Sequence, residues 1–224
     1  SLEYITSGES IGNCDLIIIP GSKNTIHDMR YLMESGMNHA LYKAHRNQVP
    51  IIGICGGYQI LGQTIEDSHG VESKEVQING LGLLEVKTQM ALDKTTRQAT
   101  GKVVTPFFGL PVIDQVLSGY EIHMGETTFM NDQVKPFMMT DLGDYDGAIS
   151  DSGNVMGTYY HGIFDNDAFR HAILERLRRE KGIEGPIESV NFERLKDREY
   201  DRLATHVEAD RKSTRLNSSH GIIS

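Results

Sequence analysis

The sequence has few cysteines and no long apolar run, and each shortage excludes a class of protein. Only Cys14 and Cys55 are present, which excludes a disulfide framework and a CxxC pair for zinc or redox chemistry. The apolar runs at 16–20 and 49–54 are far shorter than a membrane span, and no leading basic and apolar signal is present. We therefore expect a cytoplasmic protein that does not span a membrane.

Positive charge is also scarce. The formal net charge is -9, and the basic residues are concentrated in the last quarter, so no broad positive surface is available for phosphate backbones. Nucleic acid is therefore not an expected partner. The length of 224 residues, with 38% hydrophobic residues and 23 glycines, fits one substantial α/β domain with a single active site.

Short apolar runs alternate with helical periodicity in the first third of the chain. Residues 15–20 form a β-branched run that ends at Pro-Gly, which is typical of a buried parallel strand before a functional loop. Helical spacing follows over 26–47, with an interruption expected at Gly36, and a second strand over 49–54 precedes a helical run at 60–65. This order predicts right-handed crossovers and an α/β fold with a doubly wound, mostly parallel, flavodoxin-like sheet.

The rest of the chain is less regular. Strands are predicted over 76–87, 119–130 and 155–160, whereas 94–111 shows no clear period. Apolar residues spaced four apart predict a helix over 166–181, namely Phe169, Ile173 and Leu177.

The end of the chain divides into two segments after this helix. We expect residues 1–182 to form the domain and 183–212 to add a charged helical extension after a break at 182–186. Residues 213–224 are polar and aperiodic, which predicts a disordered tail that could be of non-native origin.

Cys55 has the surroundings of a nucleophile. It lies where a strand turns into a helix, between Gly53 and the pair Gly56 and Gly57, and glycines permit the strained turn and the approach of a substrate. The positive end of the helix would also favour the thiolate. From the pattern alone a buried, inert cysteine remains the alternative, and Cys14, which lacks flanking glycines, is interpreted as structural.

His161 is the candidate proton carrier, because it too follows a predicted strand and the carboxyl ends of such strands meet at one crevice. A capping or core histidine is the alternative. The backbone N–H groups of Gly56 and of the loop at Gly21 and Ser22 are candidate oxyanion donors.

No metal site is predicted from Glu121, His123 and Glu126. Alternation along this strand-like segment places Glu121 and His123 on one face, and no third ligand is evident on that face. Residues 82–88 lack the glycine that a phosphate loop needs.

Four sequence blocks in this order resemble the C-terminal, class I type glutamine amidotransferase domain of the cobyric acid synthase family. The blocks are 16–25, 53–62, 119–125 and 157–166, and the similarity extends from about Asp15 to Arg211. The resemblance implies a glutaminase that supplies ammonia for the ATP-dependent amidation of corrinoid carboxylates in cobalamin biosynthesis, converting adenosylcobyrinic acid a,c-diamide to cobyric acid.

The resemblance also implies roles for individual residues. Cys55 matches the nucleophile and His161 the catalytic histidine, Gly21 and Gly56 would supply oxyanion donors, and Gln59 would help to hold the substrate glutamine. Cofactors are expected only on a preceding ATP-binding synthetase domain or subunit, which would use ATP and magnesium, contact the corrinoid and receive the ammonia. This sequence contains no phosphate loop, and a first strand would be expected ahead of Ser1.

One departure concerns the orientation of His161. The wider class has a glutamate two residues after the histidine, whereas this sequence has Ile163. Glu121 or a backbone carbonyl could orient the imidazole instead, or the site could work as a dyad. Cobyrinic acid diamide synthases and lipid II amidotransferases resemble this pattern as well. The other hypotheses are a cysteine hydrolase or chaperone of the same superfamily and a non-catalytic interaction module.

Overall fold

The computed structural model describes residues 1–8, 11–111, 114–185 and 190–219, with side chains described as far as Asp210. Within these ranges the chain forms one mixed sheet with helices on its two faces. The strands are β1 (Ile17–Ile19), β2 (Ile51–Ile54), β3 (Thr64–Glu66), β4 (Gln77–Asn79), β5 (Val86–Val103), β6 (Val116–Phe129), β7 (Lys135–Thr140), β8 (Tyr145–Ile149) and β9 (Val155–Thr158). The helices are α1 (Thr25–Glu34), α2 (Met37–Arg46), α3 (Gly56–Leu61), α4 (Asp167–Glu180) and α5 (Phe192–Ser219), with a 3₁₀ turn at Ile163–Asp165.

Three parallel strands organise one half of the sheet. β2 lies between β1 and β9, with Ile51 paired to Ile17 on one side and to Val155 on the other. The carboxyl ends of these three strands, which we call the carboxyl edge, therefore lie side by side although β9 is about a hundred residues away in sequence. Cys55 directly follows β2, and His161 lies shortly after β9.

The other half of the sheet is dominated by a long antiparallel hairpin. β5 and β6 pair from Val86 with Phe129 to Lys102 with Val116, and their register shifts between Met90 and Thr95. β5 also pairs with β3 in parallel and with β7 in antiparallel orientation, and β7 leads through β8 to β9. The hairpin is thereby joined to the parallel strands within one sheet.

Alternate side chains of the central strands enter two hydrophobic clusters. Ile51 of β2 packs with α1, α2 and α3 on one face, while Ile52 packs with Ile163 and Phe169 on the other. A strand that is buried on both faces explains the continuous apolar run at this position. The arrangement confirms the predicted α/β class. No helix in the described parts of the chain is long and apolar enough to cross a bilayer.

The predicted break at Gly36 is confirmed, because Gly36 has a φ of 73° and separates α1 from α2. The helix predicted over 60–65 is wrong at its end, since α3 stops at Leu61 and β3 begins at Thr64. Ile65 is fully buried and pairs in the sheet, so the short apolar run was a strand, which periodicity alone does not separate from a helix.

The strand predicted over 76–87 is two strands separated by a loop. At Gly80 a side chain would lie 2.2 Å from the carbonyl oxygen of Gly62, so the loop passes very close to another segment. The unassigned stretch from Lys94 belongs to β5 as far as Val103. Exposed and less exposed positions alternate along this stretch, but the less exposed ones include Thr95, Arg97 and Gly101, so the sequence shows no apolar alternation.

α5 confirms the predicted C-terminal helix, and its side chains described between Phe192 and Asp210 are mostly exposed. Its N-terminus contacts the domain through Phe192, whose N–H donates to Asp167 and whose ring lies beneath Arg170. The backbone stays helical through Ser219, unlike the disordered tail predicted from Ser213. Residues 186–189 and 220–224, where the predicted break ends and the predicted tail continues, lie outside the described residues.

Candidate active site at the carboxyl edge

Cys55 occupies a strained turn between β2 and α3. Its φ of 54° and ψ of -109° are unusual for a residue with a side chain, and its backbone N–H donates to the carbonyl of Thr158 at 2.8 Å. A side chain on Gly57 would lie 2.0 Å from the carbonyl oxygen of Ile19, so only glycine permits α3 to start this close to β1. The turn has the geometry predicted for a nucleophile elbow.

His161 is held by the middle of β6. His161 and Tyr120 exchange two backbone hydrogen bonds of 2.9 and 3.2 Å, and their rings stack with centroids 5.1 Å apart. A side chain on Gly119 would lie 2.6 Å from the carbonyl oxygen of His161. Glycine is therefore required for this close approach of the hairpin to the segment that follows β9.

The structure brings Cys55 and His161 together. A methyl group on Gly21 would lie 3.0 Å from Cε1 of His161 and 3.5 Å from Cβ of Cys55, so both side chains border the same small space. The thiol of Cys55 donates to the carbonyl oxygen of Ile122 at 3.5 Å, and the same carbonyl faces the imidazole. Nε2 of His161 is buried and has no hydrogen-bond partner. This nitrogen is thus available for a proton.

Burial keeps both groups neutral at neutral pH. It raises the pKa of the Cys55 thiol to about 11, although the N–H of Gly56 partly opposes the shift, and the charge of Glu72 adds to it. Burial also lowers the pKa of His161. The carbonyl of Ile122 favours the charged ring and so partly opposes this decrease. Burial at the start of α3 therefore works against the thiolate that the helix end was expected to favour.

The predicted oxyanion donors lie beside this pair. Gly21 is exposed, and the loop that contains it packs against Gly56, where a side chain would lie 2.8 Å from the backbone nitrogen of Ser22. The backbone N–H of Gly56 interacts with the thiol of Cys55. The N–H of Gly56 is thus adjacent to the sulfur, and the loop of Gly21 packs against the same turn, while the role of both amides in catalysis stays a prediction.

Gln59 is buried beneath the site. Its Oε1 accepts from the hydroxyl of Thr25 at 2.9 Å, and its Nε2 donates to the hydroxyl of Tyr159 at 3.2 Å. Tyr159 continues this network to Thr127 at 2.6 Å. Because only 2% of Gln59 is exposed, its amide supports the walls of the site in this conformation, and binding of glutamine by Gln59 stays a prediction.

The candidates for orienting His161 differ in position. Glu121 is bound by Arg97, with its Oε2 accepting from Nε at 2.6 Å, so the structure favours the carbonyl of Ile122 as the group beside the imidazole. Ile163 occupies the position of the missing glutamate and is fully buried in the core. Nδ1 of His123 donates to the carbonyl oxygen of Gly125 at 2.8 Å, and the ring stacks on Tyr159, so His123 forms a wall of the site.

The sequence did not identify two contributors by residue. A backbone carbonyl is among the groups expected to orient His161, but its position is not predicted. The carbonyl of Ile122 has no side-chain pattern that could reveal it, since any residue at this point of β6 would supply the same oxygen. Glu72, whose charge reaches Cys55, lies in the loop between β3 and β4, where no motif indicated it. Among the described residues, no group of three potential metal ligands comes together.

Comparison with protein families gives a match over most of the chain. Residues 1–169 match the sequence model of the CobB/CobQ-like glutamine amidotransferase domain. Cobyric acid synthase of Clostridium acetobutylicum is 44% identical over 225 residues, which cover 100% of this chain and 43% of that protein. Cobyric acid synthase of Citrobacter koseri is 45% identical and covers 91% of this chain and 40% of its own length. The chain thus spans less than half the length of these relatives.

Solved structures support the fold alone. A crystal structure of a glutamine amidotransferase superposes with a TM-score of 0.53 at 17% identity, covering 77% of this chain and 84% of its own. The structure of PurLQS from Thermotoga maritima also gives a TM-score of 0.53 at 17% identity, with coverage of 74% and 79%.

Proposed function

Because the chain belongs to the CobB/CobQ-like glutamine amidotransferase family, we propose that it is the glutaminase unit of an ATP-dependent amidoligase, with Cys55 as nucleophile and His161 as proton carrier. One observation carries the proposal: the thiol and the imidazole border the same space beside Gly21 and share the carbonyl of Ile122. Nucleophile and base at the ends of neighbouring parallel strands are an arrangement that supports acyl transfer.

In the first step, the proton of Cys55 passes to His161 as the sulfur attacks the side-chain carbonyl carbon of glutamine. Negative charge then develops on the carbonyl oxygen, where the amides of Gly21 and Gly56 would donate hydrogen bonds. Collapse of this intermediate breaks the carbon–nitrogen bond, and His161 gives its proton to the departing ammonia. A γ-glutamyl thioester remains on Cys55.

In the second step, His161 removes a proton from water, and the resulting nucleophile attacks the thioester. Glutamate leaves and the thiol is restored, so one glutamine and one water yield glutamate and ammonia. The neutral pair of the resting state fits this cycle, because charge separation is needed only while the substrate occupies the site. Exclusion of water from the buried sulfur would also limit side reactions.

The similarity to cobyric acid synthases supports a corrinoid carboxylate as the acceptor of the ammonia. In this proposal an ATP-binding synthetase domain or subunit activates that carboxylate with ATP and magnesium, and it contacts most of the corrinoid. The conversion would be that of adenosylcobyrinic acid a,c-diamide to cobyric acid, in the cytoplasm. The described residues of this chain are assigned only the release of ammonia.

The experiment is covalent labelling with the glutamine-mimicking diazo ketone 6-diazo-5-oxo-L-norleucine, followed by peptide mass spectrometry. We expect one label at Cys55, prevented by an excess of glutamine. The matched control is Cys14→Ala, which should be labelled at the wild-type rate, whereas Cys55→Ala should take up no label. Labelling at Cys14 instead, or labelling that glutamine does not prevent, would contradict the assignment.

A functional test uses the chain together with its synthetase partner. Cys55→Ala should abolish amidation with glutamine and leave amidation with free ammonia intact, because only ammonia release depends on the thiol. Equal loss of both reactions would count against the proposal.

A further inference from the structure

The loop between β3 and β4 holds an acidic side chain against the site. The carboxylate of Asp67 accepts hydrogen bonds from the backbone N–H groups of Val71, Glu72 and Ser73 at 2.7 to 2.9 Å. Three such bonds to one carboxylate fix the backbone at Glu72. The position of the Glu72 side chain is therefore determined by the fold of this loop.

Glu72 binds the loop that forms one wall of the site. Its Oε2 accepts from the backbone N–H of Thr25 at 2.8 Å, and its carbonyl accepts from the side-chain amide of Asn24 at 2.9 Å. Ser22, two residues before Asn24, packs directly against Gly56. Thr25 also contacts Gln59, which lies one helical turn after Cys55. Two contacts thus connect the Glu72 carboxylate to α3.

Glu72 has no positive partner, since no ion pair within the described ranges includes it, whereas Glu75 of the same loop binds Arg30 at 2.5 Å. The side chain is partly buried, and burial together with the charges of Asp67 and Asp28 raises its pKa. Its own charge raises the pKa of Cys55 and so opposes the thiolate. A partly desolvated anion without a cationic partner costs free energy, and here its charge also disfavours the thiolate of Cys55.

A substrate with a positive charge would remove both costs. Glutamine carries an α-ammonium group at one end and the reacting amide at the other, so an anion held beside the loop that packs against the turn of the nucleophile matches this molecule. We propose that the Glu72 carboxylate binds the α-ammonium group of glutamine and makes the site select α-amino acid amides over amides that lack the amino group. This inference rests on the proposed glutaminase function and assigns a specificity-determining residue to the same site.

Binding would then couple to reactivity. The α-ammonium group neutralises the charge that disfavours the thiolate, so Cys55 becomes easier to deprotonate when the substrate is present. Hydrolysis of glutamine would gain from this coupling, whereas an amide without the amino group would meet Glu72 as an uncompensated charge. Discrimination therefore has an attractive part for the correct substrate and a repulsive part for the wrong one.

The test compares two diazo ketones on the 224-residue chain. One is 6-diazo-5-oxo-L-norleucine, which has the α-ammonium group, and the other is 6-diazo-5-oxohexanoate, which lacks it. In Glu72→Gln, labelling of Cys55 by the first probe should slow by roughly 10- to 100-fold, as expected for a lost charge-assisted hydrogen bond. Labelling by the second probe should not slow. The amide side chain introduced at position 72 retains an oxygen that can accept from the N–H of Thr25, so the loop should keep its position.

Two controls separate this role from general damage. Glu75→Gln removes a carboxylate from the same loop at its surface ion pair, and it should leave the preference for the first probe at its wild-type value. Alkylation of Cys55 by iodoacetamide, which carries no charge, should be as fast or faster in Glu72→Gln than in the wild type. Circular dichroism should show that both variants melt close to the wild type.

The outcomes distinguish the two claims. A wild type that takes no label at Cys55 from either diazo ketone would overturn the proposed function. A wild type that is labelled, with Glu72→Gln retaining the full preference for the amino-bearing probe, would overturn the inference alone. Equal slowing with both probes and with iodoacetamide would also overturn it, because that pattern indicates a structural role for Glu72.

Discussion

The parallel strands and the β5–β6 hairpin contribute to the site in different ways. β2 ends in a glycine-rich turn that presents the side chain of Cys55, and β9 leads to the side chain of His161. The hairpin instead contributes its backbone, through the carbonyl of Ile122 and the two hydrogen bonds between Tyr120 and His161. The side chains that we propose to react thus follow the parallel strands, while the hairpin contacts them through its backbone.

Among the variants that test this difference between the strands and the hairpin, the largest loss of activity is expected at His161. In His161→Gln, kcat for glutamine hydrolysis should fall by roughly 10²- to 10⁴-fold, the usual contribution of a general acid and base. The melting temperature should change little, because the backbone bonds to Tyr120 remain. The comparison variant is His45→Gln, in α2 and outside the carboxyl edge. Comparable loss of activity in both variants would remove His161 from the mechanism.

A medium effect is expected where the backbones approach closely. Gly57→Ala, in the parallel half, would place a methyl group 2.0 Å from the carbonyl oxygen of Ile19. Gly119→Ala, on the hairpin, would place one 2.6 Å from the carbonyl oxygen of His161. Each should lower the free energy of unfolding by about 1–3 kcal/mol in urea titrations, because backbone must move to admit a methyl group. Gly12→Ala is the control, since nothing lies within 4 Å of its added methyl group.

The two glycine variants also test whether the turn after β2 and the hairpin affect the thiol and the imidazole separately. Gly119→Ala should reduce glutaminase activity mainly through displacement of His161, so alkylation of Cys55 by iodoacetamide should stay near the wild-type rate. Gly57→Ala should alter both rates, because it distorts the turn that carries the thiol. The reverse pattern would mean that the hairpin, and not β2, determines the exposure of the sulfur.

The smallest effect is expected at the stacked rings. Tyr120→Leu removes the aromatic partner of His161 but keeps the backbone bridge, so kcat should fall by only a few fold, as expected for a stacking energy of about 0.5–1.5 kcal/mol. Steady-state kinetics of glutamine hydrolysis measures this change. Tyr145→Leu, at an exposed tyrosine of β8, is the control, and an equal decrease there would argue against a specific role for Tyr120.

The same division explains what the sequence could predict. The parallel half is visible in the sequence because buried strands give continuous apolar runs, and Gly53, Gly56 and Gly57 identify the turn at Cys55. The hairpin is only partly predictable, since the stretch from Lys94 to Val103 has polar residues or glycine at several of its alternate, less exposed positions. A contact made by a backbone carbonyl also depends on no particular residue type. The direction of the Cys55 pKa shift also escaped prediction, because it depends on burial in the finished fold.

The central claim is that sulfur and imidazole reach one another at the carboxyl edge, and the most direct measurement is their separation in a crystal structure. We predict that the sulfur of Cys55 and a ring nitrogen of His161 lie within about 4 Å in crystals of the chain labelled by the diazo ketone, close enough for proton transfer. A structure in which the imidazole points away from the labelled sulfur, with Tyr120 or another side chain between them, would contradict the account.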